Sequence, residues 1–169
     1  MTQERLITIL TTGGTIDKAY FDALSEYQIS DSIIAHLLRI ARVTYPFEIV
    51  EVCRKDSLEL DEADRTKLLA MARGAQAKRI VITHGTDTMT VSAEALAAVE
   101  GKTIVLVGAL APARFSESDA AFNLGMAFAA AQIAPPGVYI TMNGTVFDAR
   151  QVIKDREAGA FVLRPIGNR

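Results

Sequence analysis

Short apolar runs rich in β-branched residues alternate along the chain with longer stretches of helical periodicity. The runs are continuous rather than interrupted at every second position, which is typical of strands buried on both faces of a parallel sheet. They predict strands at residues 6–10, 47–53, 79–83, 104–107 and 137–142. The helical patterns predict helices at about residues 31–42, 62–73, 91–99 and 119–132, with N-caps at Ser30 and Asp61 and a helix end at Gly74.

This alternation predicts a single α/β domain over residues 1–169, with a doubly wound, mainly parallel sheet in a Rossmann- or flavodoxin-like three-layer sandwich. In such a fold, ligands collect beyond the carboxyl ends of the strands. The loops after each predicted strand are therefore the segments to examine, and they are rich in hydroxyl and carboxylate side chains. Glycines cluster in two of them, TTGGT at 11–15 and HGT at 84–86.

Composition narrows the possible partners. The chain has 18 Lys and Arg against 20 Asp and Glu, a formal net charge of −2, so nucleic acid is not expected as the main partner. The longest apolar tract, at 120–134, is too short and too interrupted to span a bilayer, and the N-terminus lacks the features of a signal peptide. Cys53 is the single cysteine, so no intrachain disulfide can form. We expect a cytoplasmic protein without membrane contact.

The first glycine loop has three interpretations. Gly13 and Gly14 lack the third glycine of a dinucleotide-binding loop and the GK[ST] ending of a P-loop, which disfavours a phosphate site. A tight turn capped by Thr15 explains the loop when it is taken alone. The third interpretation is a loop that presents a catalytic hydroxyl.

The second glycine loop favours the catalytic interpretation. Thr86 and Asp87 follow a strand predicted to lie in the same sheet, so the two loops can bring hydroxyl and carboxylate groups together. A threonine hydroxyl is a poor nucleophile without a base. Lys154 is a candidate for that base, because burial favours the amine form of a lysine, although a neighbouring carboxylate opposes it. The alternative is an ordinary solvated lysine.

Three motifs resemble the bacterial-type L-asparaginases, a family of threonine-dependent amidohydrolases. They are TTGGTI at 11–16, VITHGTDTM at 81–89 and NGTVFDARQVIK at 143–154. GALAP at 108–112 and FNL at 122–124 fit the stretch between the second and the third. Separate motifs in the family's order and spacing are more specific than one glycine loop. The resemblance covers nearly the whole chain, but only the amino-terminal of the family's two domains.

The resemblance implies hydrolysis of L-asparagine to L-aspartate and ammonia, with L-glutamine as a second candidate substrate. It assigns Thr15 as the nucleophile and Tyr27 as the tyrosine of a mobile lid that touches the nucleophilic hydroxyl. Thr86, Asp87 and Lys154 correspond to a second triad, which relays a proton to or from a bound water. The resemblance implies no metal and no organic cofactor.

The resemblance also assigns substrate-binding residues: Gly14, Ser57, Leu58 and Asp87. Ser57 is expected to hold the α-carboxylate of the substrate, and Asp87 its α-amino group. Backbone N–H groups of the first glycine loop and of Thr86 are expected to stabilise the developing oxyanion. Leu58 stands where the family commonly has a glutamine, so we expect its backbone to donate but its side chain to lose a contact with the substrate.

Several expectations concern the assembly and the alternatives. The family's second domain is expected to be absent, and the resemblance implies a homodimer or homotetramer. Two other functions remain open: a non-catalytic domain that binds asparagine or aspartate, and a component of an amidotransferase that supplies ammonia to a partner.

His84, inside the second motif, is expected to make a fixed hydrogen bond rather than to act in catalysis.

Overall fold

The computed structural model describes residues 5–29 and 31–165. The strands are β1 (Ile7–Gly13), β2 (Lys18–Phe21), β3 (Glu26–Ile29), β4 (Phe47–Lys55), β5 (Arg79–Thr83), β6 (Thr103–Val107), β7 (Gly137–Met142), β8 (Thr145–Asp148), β9 (Val152–Asp155) and β10 (Ala160–Leu163). The helices are α1 (Ile34–Ile40), α2 (Glu62–Gly74), α3 (Met89–Leu96) and α4 (Ala120–Ile133). Short 3₁₀ turns at Thr15–Asp17, Ser57–Glu59 and Ala149–Gln151 follow β1, β4 and β8.

The central sheet has six strands in the order β4-β1-β5-β6-β7-β8. The first five strands are parallel, and β8 runs antiparallel to β7 at one edge. β1 lies in the interior, with Ile7 opposite both Phe47 and Arg79 on its two neighbours. The carboxyl ends of β1, β4 and β5 therefore meet at one edge of the sheet.

Side chains on the two faces of the sheet belong to two separate hydrophobic cores. On one face, Leu10, Ile82 and Leu106 pack with residues of α2 and α3. On the other face, Ile9 and Val81 pack with residues of α1 and α4. Each strand thus contributes alternate residues to opposite faces, and both faces are apolar because helices cover both. The predicted three-layer, mainly parallel α/β fold is confirmed.

Most predicted elements occur with small differences at their ends. The strands at Arg79–Thr83 and Gly137–Met142 have the predicted bounds, whereas β1 and β4 continue further, to Gly13 and Lys55. Asp61 caps α2, its side chain accepting from the Asp64 N–H. Gly74 is the last residue of α2 rather than the residue after it, and α1 begins at Ile34 instead of residue 31. The predicted cap at Ser30 lies outside the described residues.

Two hairpins were not predicted from the pattern. The segment after the first glycine loop, for which no element was predicted, forms the antiparallel pair β2 and β3, and most of its residues are exposed. Near the carboxyl end, β9 pairs with β10, and Lys154 lies opposite Phe161. Between the fifth predicted strand, now β7, and the strand that carries Lys154 lie β8 and a 3₁₀ turn. None of the described helices combines the length and apolar character needed to cross a membrane.

Candidate active site

The first and second glycine loops meet in close backbone contact. Gly14 has a positive φ of 86°, and a Cβ added to it would stand 2.5 Å from the Gly85 nitrogen. Gly85 in turn lies against Ser57, because an added Cβ there would stand 2.8 Å from the Ser57 Oγ. The loops after β1, β4 and β5 therefore touch at positions with no space for a side chain at either glycine.

Hydrogen bonds tie these three loops together. The Gly14 N–H donates to the Lys55 carbonyl at 3.0 Å, and the Thr88 hydroxyl donates to the Ser57 carbonyl at 2.7 Å. Thr12 donates its hydroxyl to the carbonyl of the last residue of β5 at 2.8 Å. Sequence reasoning did not single out Thr12 and Thr88, although both lie within the two motifs. The Gly14 N–H is thus not free to stabilise an oxyanion, which leaves Thr15 and Thr86 as the expected donors.

Ser57 begins the 3₁₀ turn after β4 and is buried. Its Oγ is one of the buried side-chain oxygens that have no hydrogen-bond partner among the described residues. A buried hydroxyl without a partner carries a desolvation penalty that a bound acceptor relieves. This property suits the expected role of Ser57 in holding a carboxylate.

Leu58 does not have the free backbone donor expected of it. Its N–H donates to Asp56 Oδ1 at 3.2 Å, in a capping box that Asp56 forms with Glu59. The cap explains this outcome, because an aspartate that precedes a turn satisfies the first N–H groups of the turn. The Leu58 side chain is 67% exposed.

Lys154 joins the second glycine loop from the β9–β10 hairpin. Its Nζ donates to Thr86 Oγ1 at 2.8 Å and to Asp87 Oδ1 at 2.7 Å. The Lys154 side chain is 17% exposed, so the ion pair with Asp87 is partly shielded from water. The three residues of the predicted second triad therefore lie in direct contact. Arg156 places a second cation 3.8 Å from the same Asp87 oxygen.

Thr15 follows Gly14 directly and begins the 3₁₀ turn at the carboxyl end of β1. The next residue, Ile16, is fully buried in the core beside α1 and α4, which anchors the turn. Tyr27 lies on the β2–β3 hairpin and is 53% exposed. Within the part of the chain that the structure describes, no hydrogen bond joins the Tyr27 hydroxyl to Thr15. The Tyr27 ring instead contacts two aromatic rings, those of Tyr20 and Phe115.

His84 is held inside the protein by two hydrogen bonds. Nδ1 lies 2.7 Å from the Gly85 carbonyl and Nε2 lies 2.7 Å from the Ser92 hydroxyl. A carbonyl only accepts, so Nδ1 carries the proton and Nε2 accepts from Ser92. Burial lowers the pKa of His84 to about 4, and the positive charge of Arg65 acts in the same direction. The expected fixed hydrogen bonding of His84 is confirmed.

A cleft of about 490 Å³ lies elsewhere, lined in part by the first residues of β7 and by α3. None of the predicted site residues lines it, and no unpartnered buried polar atom of the described residues lies there. We therefore place the candidate site at the carboxyl edge of the sheet. Among residues 5–29 and 31–165, no group of three or more His, Cys, Asp or Glu side chains is arranged to hold a metal ion.

Comparison with protein families matches residues 6–161 to the family described as "Asparaginase, N-terminal". The chain belongs to the asparaginase family. The match includes the two glycine loops, Ser57 and Lys154, so the residues that meet at the sheet edge all lie within the family's domain.

Known relatives extend this result. A glutaminase-asparaginase of Acinetobacter glutaminasificans is 31% identical over 162 residues, which cover 88% of this chain and 49% of the relative. One component of a glutamyl-tRNA(Gln) amidotransferase of Methanococcus vannielii is 47% identical over 74 residues, covering 43% of this chain and 17% of that component. The solved thermostable L-asparaginase of Thermococcus kodakarensis superposes with a TM-score of 0.81 at 27% identity, over 94% of this chain and 51% of that one. The chain described here thus spans about half the length of the Acinetobacter relative and about half the length of the solved Thermococcus structure.

The close approach of the loops predicts that Gly85→Ala lowers the free energy of unfolding by about 1–3 kcal/mol, because the new methyl group displaces the Ser57 turn. Gly74→Ala is the matched control, since a Cβ at the end of α2 meets nothing within 4 Å. Urea denaturation of both variants measures the difference. Equal stability of the two variants would contradict the packing described for Gly85.

The buried neutral state of His84 predicts acid sensitivity. Below pH 6.5 the unfolded chain gains a proton at this histidine, whereas the folded chain resists it down to about pH 4. Stability therefore falls as pH decreases through that interval, by about 3 kcal/mol from this residue. Urea denaturation between pH 7 and pH 4 should show a steeper loss for the wild type than for His84→Gln. Parallel curves would exclude this contribution.

Proposed function

We propose that this asparaginase domain hydrolyses L-asparagine to L-aspartate and ammonia, with Thr15 as the nucleophile. The observation that carries the proposal is the contact of Lys154 with both Thr86 and Asp87 at the sheet edge where Thr15 emerges. The names of the relatives support the reaction type, because they describe asparaginases and a glutaminase-asparaginase. L-Glutamine is the second candidate substrate.

Amide hydrolysis requires a nucleophilic oxygen, a group that transfers protons, and residues that bind the substrate in place. In the proposed reaction, Thr15 Oγ1 attacks the side-chain amide carbon and its hydroxyl proton passes to the amide nitrogen. The carbon–nitrogen bond then breaks, and ammonia leaves. Water then hydrolyses the aspartyl ester and restores the threonine. Thr86 Oγ1 accepts a hydrogen bond from Lys154, so its own proton is directed away from the lysine. Lys154 and Thr86 thus form a chain along which a proton can pass.

In the proposed site, substrate binding depends on the unpartnered Ser57 hydroxyl and on the charged side chain of Asp87 with its neighbouring cations. The Ser57 Oγ is available to donate to the α-carboxylate, and Asp87 offers a carboxylate to the α-amino group. Lys154 and Arg156 already neutralise part of the Asp87 charge, and the exposed Leu58 side chain adds no polar contact. We therefore propose weak substrate binding. Separately, we propose that the protein forms a homodimer or a homotetramer, as the family resemblance implies.

A second candidate function is the release of ammonia for a partner enzyme. It is favoured by the 47% identity to the amidotransferase component over 74 residues. A protein with this function is expected to release little ammonia alone and more when its partner is present. Ammonia release by the isolated chain distinguishes the two functions.

The proposed nucleophile and relay predict large losses of activity. Thr15→Ala should lower kcat at least about 10³-fold, since no other oxygen replaces the nucleophile. Lys154→Met should lower kcat about 10²–10⁴-fold through loss of the proton relay. Ammonia release is measured with L-asparagine up to tens of millimolar, a weak-binding range. Thr145→Ala, at an exposed position of β8, is the control. Undiminished turnover in Thr15→Ala would exclude the proposed nucleophile.

The Leu58 position predicts a change in substrate affinity. Leu58→Gln restores the side chain that the family commonly has and should lower KM for asparagine about 2–10-fold through one added hydrogen bond. Its kcat should stay within about twofold, since a contact made equally in the ground and transition states changes KM alone. Leu58→Ala serves as the control and should leave KM unchanged. A higher KM in Leu58→Gln would contradict the predicted contact.

A further inference from the structure

The β2–β3 hairpin is attached to the sheet edge by a loop to which the family resemblance assigns no role. This loop joins β6 to α4, and we call its residues 113–115 the clasp. The Arg114 guanidinium donates to the Asp17 carbonyl at 3.1 Å and to the Asp31 carbonyl at 2.9 Å. Asp17 precedes β2 and Asp31 follows β3, so one side chain joins the two ends of the hairpin.

The clasp also contacts the ring of Tyr27. The Phe115 and Tyr27 ring centroids are 5.8 Å apart at an interplanar angle of 63°, an edge-to-face contact. On the hairpin itself, Tyr20 is paired with Tyr27 and its ring centroid is 5.2 Å away. Such geometry is favoured for aromatic pairs. The Tyr27 ring is therefore held by a residue of the same strand pair and by a residue of the clasp.

The loop that carries the clasp is closed by hydrogen bonds between its two ends. Asp119 accepts from the N–H groups of Leu110 and Ala111, at 3.0 and 3.1 Å. The Ser118 hydroxyl donates to the Ala111 carbonyl, which closes the loop on the start of α4. The Ala113 N–H donates to the Ile16 carbonyl, in the turn that begins at Thr15. The clasp thus connects this hydrogen-bonded loop to both the hairpin and the turn that carries the proposed nucleophile.

We propose that Arg114 and Phe115 are positioning residues for the reaction: they fix the hairpin that carries Tyr27 to the turn that begins at Thr15, from which Tyr27 can reach the Thr15 hydroxyl when substrate is bound. This inference rests on the proposed function and on the role that the family resemblance implies for Tyr27, contact with the Thr15 hydroxyl. Arg114 fixes the two ends of the hairpin, and Phe115 fixes the ring that the hairpin carries. Neither residue touches the substrate; both act through Tyr27.

Amide hydrogen exchange of the full chain, followed by mass spectrometry, tests directly whether the clasp stabilises the β2–β3 hairpin. Arg114→Ala should accelerate the exchange of amides in residues 18–29 about tenfold or more, since two hydrogen bonds from a charged group are lost. Amides of β5 should be unaffected. Arg73→Ala is the matched control, because Arg73 also donates to a backbone carbonyl, that of Ala98. Unchanged exchange of the hairpin in Arg114→Ala would overturn the proposal.

Steady-state kinetics with asparagine test whether attachment of the hairpin by the clasp contributes to kcat. Arg114→Ala and Phe115→Ala should each lower kcat for asparagine about fivefold to tenfold with KM within about twofold, because substrate binding by Ser57 is untouched. Phe115→Tyr keeps the edge-to-face contact and should restore kcat. Faster hairpin exchange with unchanged kcat would overturn the positioning role. If Arg114→Ala does not fold, Arg114→Lys replaces it, since one ammonium cannot span both carbonyls and should give intermediate values.

The two proposals fail in different ways. A wild-type chain that releases no ammonia contradicts the proposed function, and hairpin exchange in Arg114→Ala then still decides whether the clasp holds the hairpin. A wild-type chain that releases ammonia, with variants equal to it in both exchange and kcat, contradicts the clasp alone.

Discussion

The contact between Gly14 and the backbone of Gly85 is the constraint on which the rest of the candidate site depends. It brings the loop after β1 against the loop after β5, and Gly85 brings the Ser57 turn against both. The positive φ of Gly14 adds a second requirement for glycine, because other residues rarely adopt it. The loops that carry Thr15, Thr86 and Ser57 can touch because Gly14 and Gly85 have no side chains at their contact points.

Electrostatics links this glycine contact to the carboxyl-terminal hairpin. Lys154 and Asp87 lie on elements far apart in sequence, and their partly shielded ion pair holds β9 against the second glycine loop. Removal of one partner from such a pair leaves the other charge poorly compensated. The same contact therefore contributes to the packing of the hairpin and to the proposed proton relay.

The sequence predicted the parts of this structure that depend on local pattern and motif. The parallel strands follow from apolar runs such as the one at Arg79–Thr83, and the contact of Lys154 with Thr86 follows from motif resemblance. The position of Lys154 on a separate hairpin could not be predicted from the sequence. β9 and β10 are only four residues each, too short for a distinctive pattern of apolar and polar residues. The occupied Leu58 N–H was also missed, since it depends on the Asp56 cap. The clasp was missed because the bonds of Arg114 to Asp17 and Asp31 join residues remote in sequence.

The most direct test of the account is a crystal structure of the chain with the product L-aspartate at saturating concentration. The account predicts that the α-carboxylate accepts a hydrogen bond from Ser57 Oγ and that the side-chain carboxylate lies beside Thr15. Aspartate bound elsewhere, for example in the cleft beside α3, would contradict the account, as would its absence from the sheet edge.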